Sequence, residues 1–316
     1  MGKLNTINIK ARARLHMGFY DLSGGDFGSV GLTLDAPCTH VKLTKNQTFI
    51  APEAQKPEVE KLVQVFKDAL GLKQSFSVEV PVAITPHAGL GSGTQLALAV
   101  GAGINALFDL GLTLDEIAFI AKRGSRSGIG LAAFAQGGFL VDSGKHAGTL
   151  PQIAFRYDFP ENWRIILISD NAHTGVHGTE ELQAFQTLTP MQNSLKEIVI
   201  KHMAPALARA DLLAFGAYMT DLQAYNGAYF APIQGGHFAS KQVENTLTFL
   251  QSNGVACVGQ SSWGPTGFAI VESQTAADLQ VSALKTQFFN DKNLSFSITR
   301  GYNKGTLLDN NALSID

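Results

Sequence analysis

The 316-residue chain predicts an α+β protein of two domains, and three observations carry that expectation. Stretches of period-two alternation and stretches of 3.6-residue periodicity interleave along the chain. The length suffices for one large core or two smaller ones, and 45% hydrophobic against 16% charged residues is a globular balance. An apolar strand at Asn162–Asp170 follows a stretch bounded by Pro151 and Pro160 and opens a second half, which places the domains at 1–158 and 159–316.

From Thr6 to Met17, Ile7, Ile9, Ala11, Ala13, Leu15 and Met17 alternate with Lys10, Arg12, Arg14 and His16, which predicts a half-buried strand carrying a cationic stripe. SVGLTLDAP and THVKLT read as two more strands, Glu58–Leu70 as a surface helix and Ser75–Thr85 as a strand. The stretch HAGLGSGTQLALAVGAGINALF, from His87 to Phe108, sets a glycine-rich turn against a buried helix. In LTLDEIAFIAKRG, Thr113 and Glu116 have the spacing of a capping box, and Lys122, Arg123 and Gly124 mark the helix end. GGFLVDSG is a strand. Helices are then expected at Glu180–Gln186, Met191–Ala208, Leu212–Tyr225 and Ser240–Ser252, with strands ACVGQSS, GFAIVES and LSFSIT.

A net charge of -2 provides no bulk attraction to nucleic acid or to an anionic membrane, so neither is expected as a partner and any anion site must be local. The two cysteines, Cys38 and Cys257, stand far apart outside any CxxC pair, which argues against thiolate zinc and a disulfide framework and fits a reducing cytoplasm. No apolar run reaches the ~18 residues of a membrane span. The myristoylation-like start MGKLNT and the sequons at Asn46 and Asn293 are patterns short enough to arise by chance.

Gly89, Gly91 and Gly93 between a strand and a helix let backbone approach a ligand and aim helical N–H groups at it, as a phosphate cradle does; the alternative is a tight turn with no ligand. The spacing is neither GxGxxG nor that of a Walker loop. Arg12, Arg14 and His16 form either an anion-binding face or a solvated one. Arg123 and Arg126 beside Ser127 and Gly128 either cap a helix or hold a phosphate or carboxylate. His173 and His177 are i, i+4, but Gly175 between them favours a loop over a zinc pair. GQSSWGPTGFAI, with Ser261, Ser262, Trp263 and Gly264, reads as a ligand-touching loop or an ordinary hairpin.

Together these stretches resemble the GHMP kinase superfamily, in which a GLGSS-type turn holds nucleotide phosphates. More closely, ARARLHMGFYDLSG, HAGLGSGTQLALAVG, RGSRSGIGLAAFAQGGFLVDSG and GQSSWGPTGFAI resemble the beta-ribofuranosylaminobenzene 5'-phosphate synthase family of methanopterin biosynthesis. The resemblance implies a GHMP-kinase-like fold, each domain a mixed or antiparallel sheet packed with helices. It implies condensation of phosphoribosyl pyrophosphate with 4-aminobenzoate or 4-hydroxybenzoate, releasing pyrophosphate and carbon dioxide. The kinase pattern SGID reads Ser127-Gly128-Ile129-Gly130 here, so the Asp base is missing; the metal-binding serine falls on Gly93, and the region of the metal-binding Glu reads Phe119-Ile120. A small-molecule kinase or a non-catalytic phosphometabolite-binding protein are the competing readings. By analogy, Arg126, Ser127, His16 and Arg14 are expected to serve catalysis. Arg12, Asp21, Gly89, Leu90, Gly91, Ser92, Gly93, Thr94, Arg123, Ser261, Ser262, Trp263 and Gly264 are expected to bind substrate. Thr94, Asp21 or Asp142 would hold magnesium bridging the pyrophosphate, and a homodimer is expected.

Overall fold

The computed structural model describes residues 5–23, 27–45, 56–144, 149–173 and 187–309. The first sheet is built on β1 (Thr6–Phe19) and β2 (Ser29–Lys45), paired antiparallel over most of their length. β3 (Phe76–Val82) pairs one end of β2, and β4 (Phe139–Asp142) the other. β5 (Ile153–Tyr157) extends the sheet beyond β4. The second sheet runs β7 (Cys257–Gln260), β8 (Thr266–Val271), β6 (Arg164–Asp170), β9 (Leu294–Thr299), again antiparallel throughout.

The alternation of β1 is interrupted by a register shift between Arg12 and Arg14, and this divides the strand's work. Ile7, Ile9 and Ala11 pack in a core with α1 (Lys56–Leu70), α2 (Ser92–Phe108) and α3 (Leu114–Ile120). Ala13, Leu15 and Met17 join a second core with Ile165, Leu167, Phe268 and Ile270 of the other sheet, closed by α5 (196–208) and α6 (Leu212–Gln234). The outer face of the second sheet buries Ile166, Ile168 and Ala269 against α7 (Lys241–Ser252) and α8 (Gln274–Gln287). An extra residue in a strand reverses which face each later side chain takes.

Several expectations change. β1 is not half-solvated: helices cover one part and the second sheet another, so Arg12 and His16 are buried at 7% and 5% exposure. SVGLTLDAP and THVKLT form one strand that bends out of pairing with β1 around Ala36–Pro37. α4 (Ile129–Ala135) and β5 arise in stretches read as turn and linker. α5 begins five residues later than expected, at Lys196, and contains a π-helical segment, Val199–Met203. α6 continues past Tyr225 to Gln234. α8 was not anticipated although Ser273 caps it, its Oγ accepting from the Ala276 N–H at 3.1 Å. The capping box of α3 forms between Thr113 and Glu116. The stretch expected as a helix at Glu180–Gln186, and His177, lie outside the described residues.

The chain does not divide cleanly into an N-terminal and a C-terminal half. After β9 it crosses back: Tyr302 donates its N–H to Thr33 at 2.9 Å and accepts from Gly138 at 2.7 Å, and β10 (Leu307–Asp309) pairs with β1 on the edge of the first sheet. Residues 301–309 thus belong with the first sheet. Asn303 pins the crossing, its Oδ1 accepting from the Phe159 N–H at 2.7 Å and its Nδ2 donating to the Phe159 carbonyl at 2.9 Å. Asn303→Ala leaves both backbone groups of Phe159 without these partners, and the expected cost is about 1–3 kcal/mol in denaturant unfolding at unchanged m.

Candidate active site

The glycine-rich turn comes directly off the strand β3 and ends in α2. Gly91 caps α2 in the left-handed region at φ 81°, with no side-chain cap and no acidic residue in the first turn. The first N–H groups of a helix have no intrahelical acceptor, and the helix dipole gives them positive character. Ser92, Gly93 and Thr94 are half-buried here, and all three line an open cleft of about 420 Å³. Four cations share that cleft: Arg14 from β1, and Lys122, Arg123 and Arg126 from the loop after α3. The Nε of Arg123 is buried without a hydrogen-bond partner. Its pKa is lowered, first by burial and also by Arg126, with Glu58 acting in the opposite sense. Guanidiniums crowded this way beside uncapped helical N–H groups form a site for a polyanion.

Backbone closeness explains the glycines. A Cβ on Gly89 (φ 79°) would lie 2.3 Å from the Ser261 carbonyl, and one on Gly264 would lie 2.5 Å from the Ala88 carbonyl carbon and oxygen. The two loops therefore meet main chain to main chain. Ser261 locks them, its Oγ donating to the Gly89 carbonyl at 2.7 Å and accepting from the His16 N–H at 3.0 Å. Arg14 Nη1 donates to that same Gly89 carbonyl at 2.6 Å. The β7–β8 connection is thus both a hairpin and a cleft wall, with Ser262, Trp263 and Gly264 on the cleft. Ser262, His87 and Lys122, all lining it, have positive φ of 57°, 58° and 53°, a strained conformation for residues with side chains.

Other residues fall elsewhere. Arg12 is turned away by the register shift: it pairs with Asp35 and lies 3.4 Å over the Tyr302 ring, outside the cleft. Asp21 accepts from the N–H and hydroxyl of Ser23 in a local turn and does not line the cleft. Leu90 is a core side chain whose carbonyl accepts from the Arg14 N–H, and Ser261 is buried as the lock just described. Asp142 is at 0% exposure, accepting from the Ser29 and Ser127 hydroxyls and the N–H groups of Ser29 and Gly128. Burial pushes its carboxyl pKa up, against the pull of those hydrogen bonds. It holds the 127–128 turn in place, and the Ser127 hydroxyl is engaged with it. Among the described residues no three His, Cys, Asp or Glu side chains gather as cation ligands. The carboxylate that does line the cleft is Glu58 of α1, which sequence reading missed. Near it, a Cβ on Gly93 would lie 3.6 Å from Glu58 Oε1.

Two antiparallel sheets with a strand–turn–helix cradle at their junction define a protein of the GHMP kinase fold. The family described as GHMP kinases N terminal domain matches residues 58–138, and GHMP kinases C terminal matches residues 203–291. The homoserine kinase of Cytophaga hutchinsonii superposes with a TM-score of 0.66 at 18% identity, covering 98% of this chain and 99% of that one. The mevalonate diphosphate decarboxylase of Staphylococcus aureus superposes at 0.68 with 15% identity, covering 96% and 98%. Within that class the chain belongs to the beta-ribofuranosylphenol 5'-phosphate synthase family of enzymes. It is 30% identical to the synthase of Methanothermobacter thermautotrophicus, over 84% of this chain and 89% of that one, and 31% identical to that of Methanocaldococcus jannaschii, over 83% and 88%. No helix among the described residues is long and apolar enough to cross a membrane.

Two outcomes test this geometry. A Cβ at Gly91 would lie 3.2 Å from the Arg14 side chain in a left-handed conformation, so Gly91→Val is expected to weaken inorganic pyrophosphate binding by at least about tenfold in calorimetry. The second concerns His16, whose pKa is lowered to about 3 by burial first, then by Arg14 and Arg126. The unfolded state takes up its proton near pH ~6.5 and the folded state only near 3, so the group costs stability as pH falls through that window, about 1.4 kcal/mol per pH unit. Denaturant unfolding of His16→Gln is expected to show a shallower acid loss than the wild type between those limits, and parallel curves would refute it.

Proposed function

We propose that this enzyme condenses phosphoribosyl pyrophosphate with a para-substituted benzoate, forming a C-riboside 5'-phosphate with release of pyrophosphate and carbon dioxide, as a step of methanopterin biosynthesis. The observation that carries this reading is Gly130. It stands where a kinase of this fold places its Asp base, and it has no side chain to serve as one; a Cβ there would lie 3.0 Å from Thr94 Cγ2, a tight contact. A phosphoryl transfer that activates an alcohol has lost its base. The proposed reaction requires none at the ring. The names of the relatives specify a phenol product, which favours 4-hydroxybenzoate over 4-aminobenzoate.

The chemistry follows from the cleft's charges. The pyrophosphate lies on the helical N–H groups of Ser92, Gly93 and Thr94 among Arg14, Arg123 and Arg126, which stabilise its departure with the electron pair of the anomeric C–O bond. The ring carbon bearing the carboxylate, made electron-rich by the para hydroxyl, bonds to the anomeric carbon. The C–COO⁻ bond then breaks, its electrons restore the aromatic ring, and carbon dioxide leaves where a proton would otherwise have to be removed. Main-chain contact between the two loops fixes both reactants near each other, and such positioning is a large part of the rate in group transfer.

The test is carboxyl-labelled 4-hydroxybenzoate. Label is expected as carbon dioxide in step with pyrophosphate, one for one, and only when phosphoribosyl pyrophosphate and a divalent cation such as magnesium are both supplied; ATP with alcohol acceptors is expected to yield no phosphorylated product. Pyrophosphate release with the label kept on the aromatic product would overturn the reaction, and ATP turnover near ~1 per second would restore the kinase reading.

A further inference from the structure

Glu58, in the first turn of α1, lines the phosphate cleft beside Arg14, Lys122, Arg123 and Arg126. An acidic residue there complements the dipole of its own helix, but this one also faces another. A Cβ on Gly93, in the first turn of α2, would lie 3.6 Å from Glu58 Oε1, 3.5 Å from Arg123 Nη2 and 3.7 Å from Arg123 Nη1. Two opposite charges thus converge on one point without meeting. Among the described residues no ion pair joins them, neither side chain makes a hydrogen bond, and the Nε of Arg123 is buried unpaired. Arg123 nevertheless feels the carboxylate, which acts to raise its pKa against the larger lowering by burial.

A carboxylate and a guanidinium held apart at the wall of a cleft select a ligand by the kind of hydrogen bond it makes. A phosphate oxygen accepts from Arg123, but Glu58 offers it no donor and repels it. An ammonium reverses that pattern. A divalent cation on Glu58 would stand beside Arg123, with Arg14, Lys122 and Arg126 in the same cleft, and this surplus of positive charge opposes it. A hydroxyl donates to the carboxylate and accepts from the guanidinium, so both charges are answered by one group. Gly93 leaves the common point open, since any side chain there would begin between the two.

We propose that Glu58 and Arg123 form the sugar subsite: Glu58 accepts from the ribose hydroxyls of phosphoribosyl pyrophosphate and Arg123 donates to them, while the pyrophosphate lies on the first turn of α2. The proposal rests on the synthase reading above and adds where the sugar sits. The 2-hydroxyl is borne by the carbon next to the anomeric one, so a sugar whose pyrophosphate meets the N–H groups of Ser92, Gly93 and Thr94 keeps that hydroxyl close to the same turn. Glu58 thereby separates substrate from product. Free pyrophosphate brings negative charge and no sugar hydroxyl, so it meets the charge of Glu58 with nothing to satisfy it, and its release is favoured once the anomeric C–O bond has broken. The carboxylate contributes binding that the sugar-bearing ligand alone can use.

Calorimetry on the full chain measures phosphoribosyl pyrophosphate and inorganic pyrophosphate separately, in magnesium and in a chelator, for the wild type, Glu58→Gln and Glu58→Ala. Glu58 is exposed, so neither substitution opens a cavity. Both variants are expected to bind phosphoribosyl pyrophosphate about tenfold more weakly in either condition, while inorganic pyrophosphate binds as well as to the wild type or more tightly. A damaged fold would not move the two ligands apart. Unchanged affinity for phosphoribosyl pyrophosphate overturns the subsite, and so does an equal loss of both ligands. Tightening of both would reduce Glu58 to a repelling charge, and a loss confined to magnesium would make it a metal ligand; each of these also overturns the proposal. A wild type that binds no phosphoribosyl pyrophosphate overturns both this proposal and the synthase reading. Otherwise the two fail separately. Weaker binding in the variants with no labelled carbon dioxide from the wild type keeps the sugar subsite and removes the synthase reaction, whereas labelled carbon dioxide with variants that bind phosphoribosyl pyrophosphate normally removes the subsite alone.

Discussion

The site depends on one carbonyl group. Gly89 offers its oxygen to the Ser261 hydroxyl and to Arg14 Nη1, and Ser261 in turn accepts from the His16 backbone. Through those few bonds the glycine turn of the first sheet, the β7–β8 loop of the second and the middle of β1 are held against one another. Because Gly89 and Gly264 lack side chains, the contact is made between main chains, which have few conformations to choose from. A site assembled from distant segments gains its definition from such rigid contacts, since a displacement of an ångström between reactants is enough to lose most of their reactivity.

Asp142 plays a parallel part on the other side of the cleft. It is fully buried and accepts from the Ser127 hydroxyl and Gly128 N–H of the 127–128 turn, from the hydroxyl and N–H of Ser29 on β2, and from the Gly144 N–H. With burial raising the carboxyl pKa, the group is costly to keep charged, and those five donors are what the fold sets against that cost. The turn they hold carries Ser127 and leads into Gly130, adjoining Arg126. Polar groups deep in the protein thus serve to place cations at its surface without touching the ligand themselves.

What was legible in the sequence was whatever depends on near neighbours. The glycine turn, the α3 cap and the hairpin bearing Ser262 and Trp263 are local patterns, and each stands where its residues put it. Arg12 misled because alternation assigns it the face of Arg14, and only the pairing with β2 reveals the register shift between them. The engagement of Asp21 with Ser23 and of Asp142 with Ser29, Ser127 and Gly128 was not legible, because a carboxylate in sequence does not disclose its partners. Glu58 was invisible as a cleft residue because α1 reaches the cradle only through packing on α2. The return of residues 301–309 was missed for the same reason: its partner β1 lies far away in the sequence, and local composition does not name it.

That return has a consequence for how the molecule comes into being. Asn8, Ile9 and Lys10 pair with Asp309, Leu308 and Leu307, on strands very far apart along the chain. Until residues 307–309 are made, this edge of the first sheet stays open with unpaired backbone groups. Contacts this distant in sequence are slow to form and leave such edges available to other chains in the meantime. The glycine turn closes against Ser261 and Gly264, so a polypeptide interrupted before the β7–β8 loop carries the turn but nothing for it to close against.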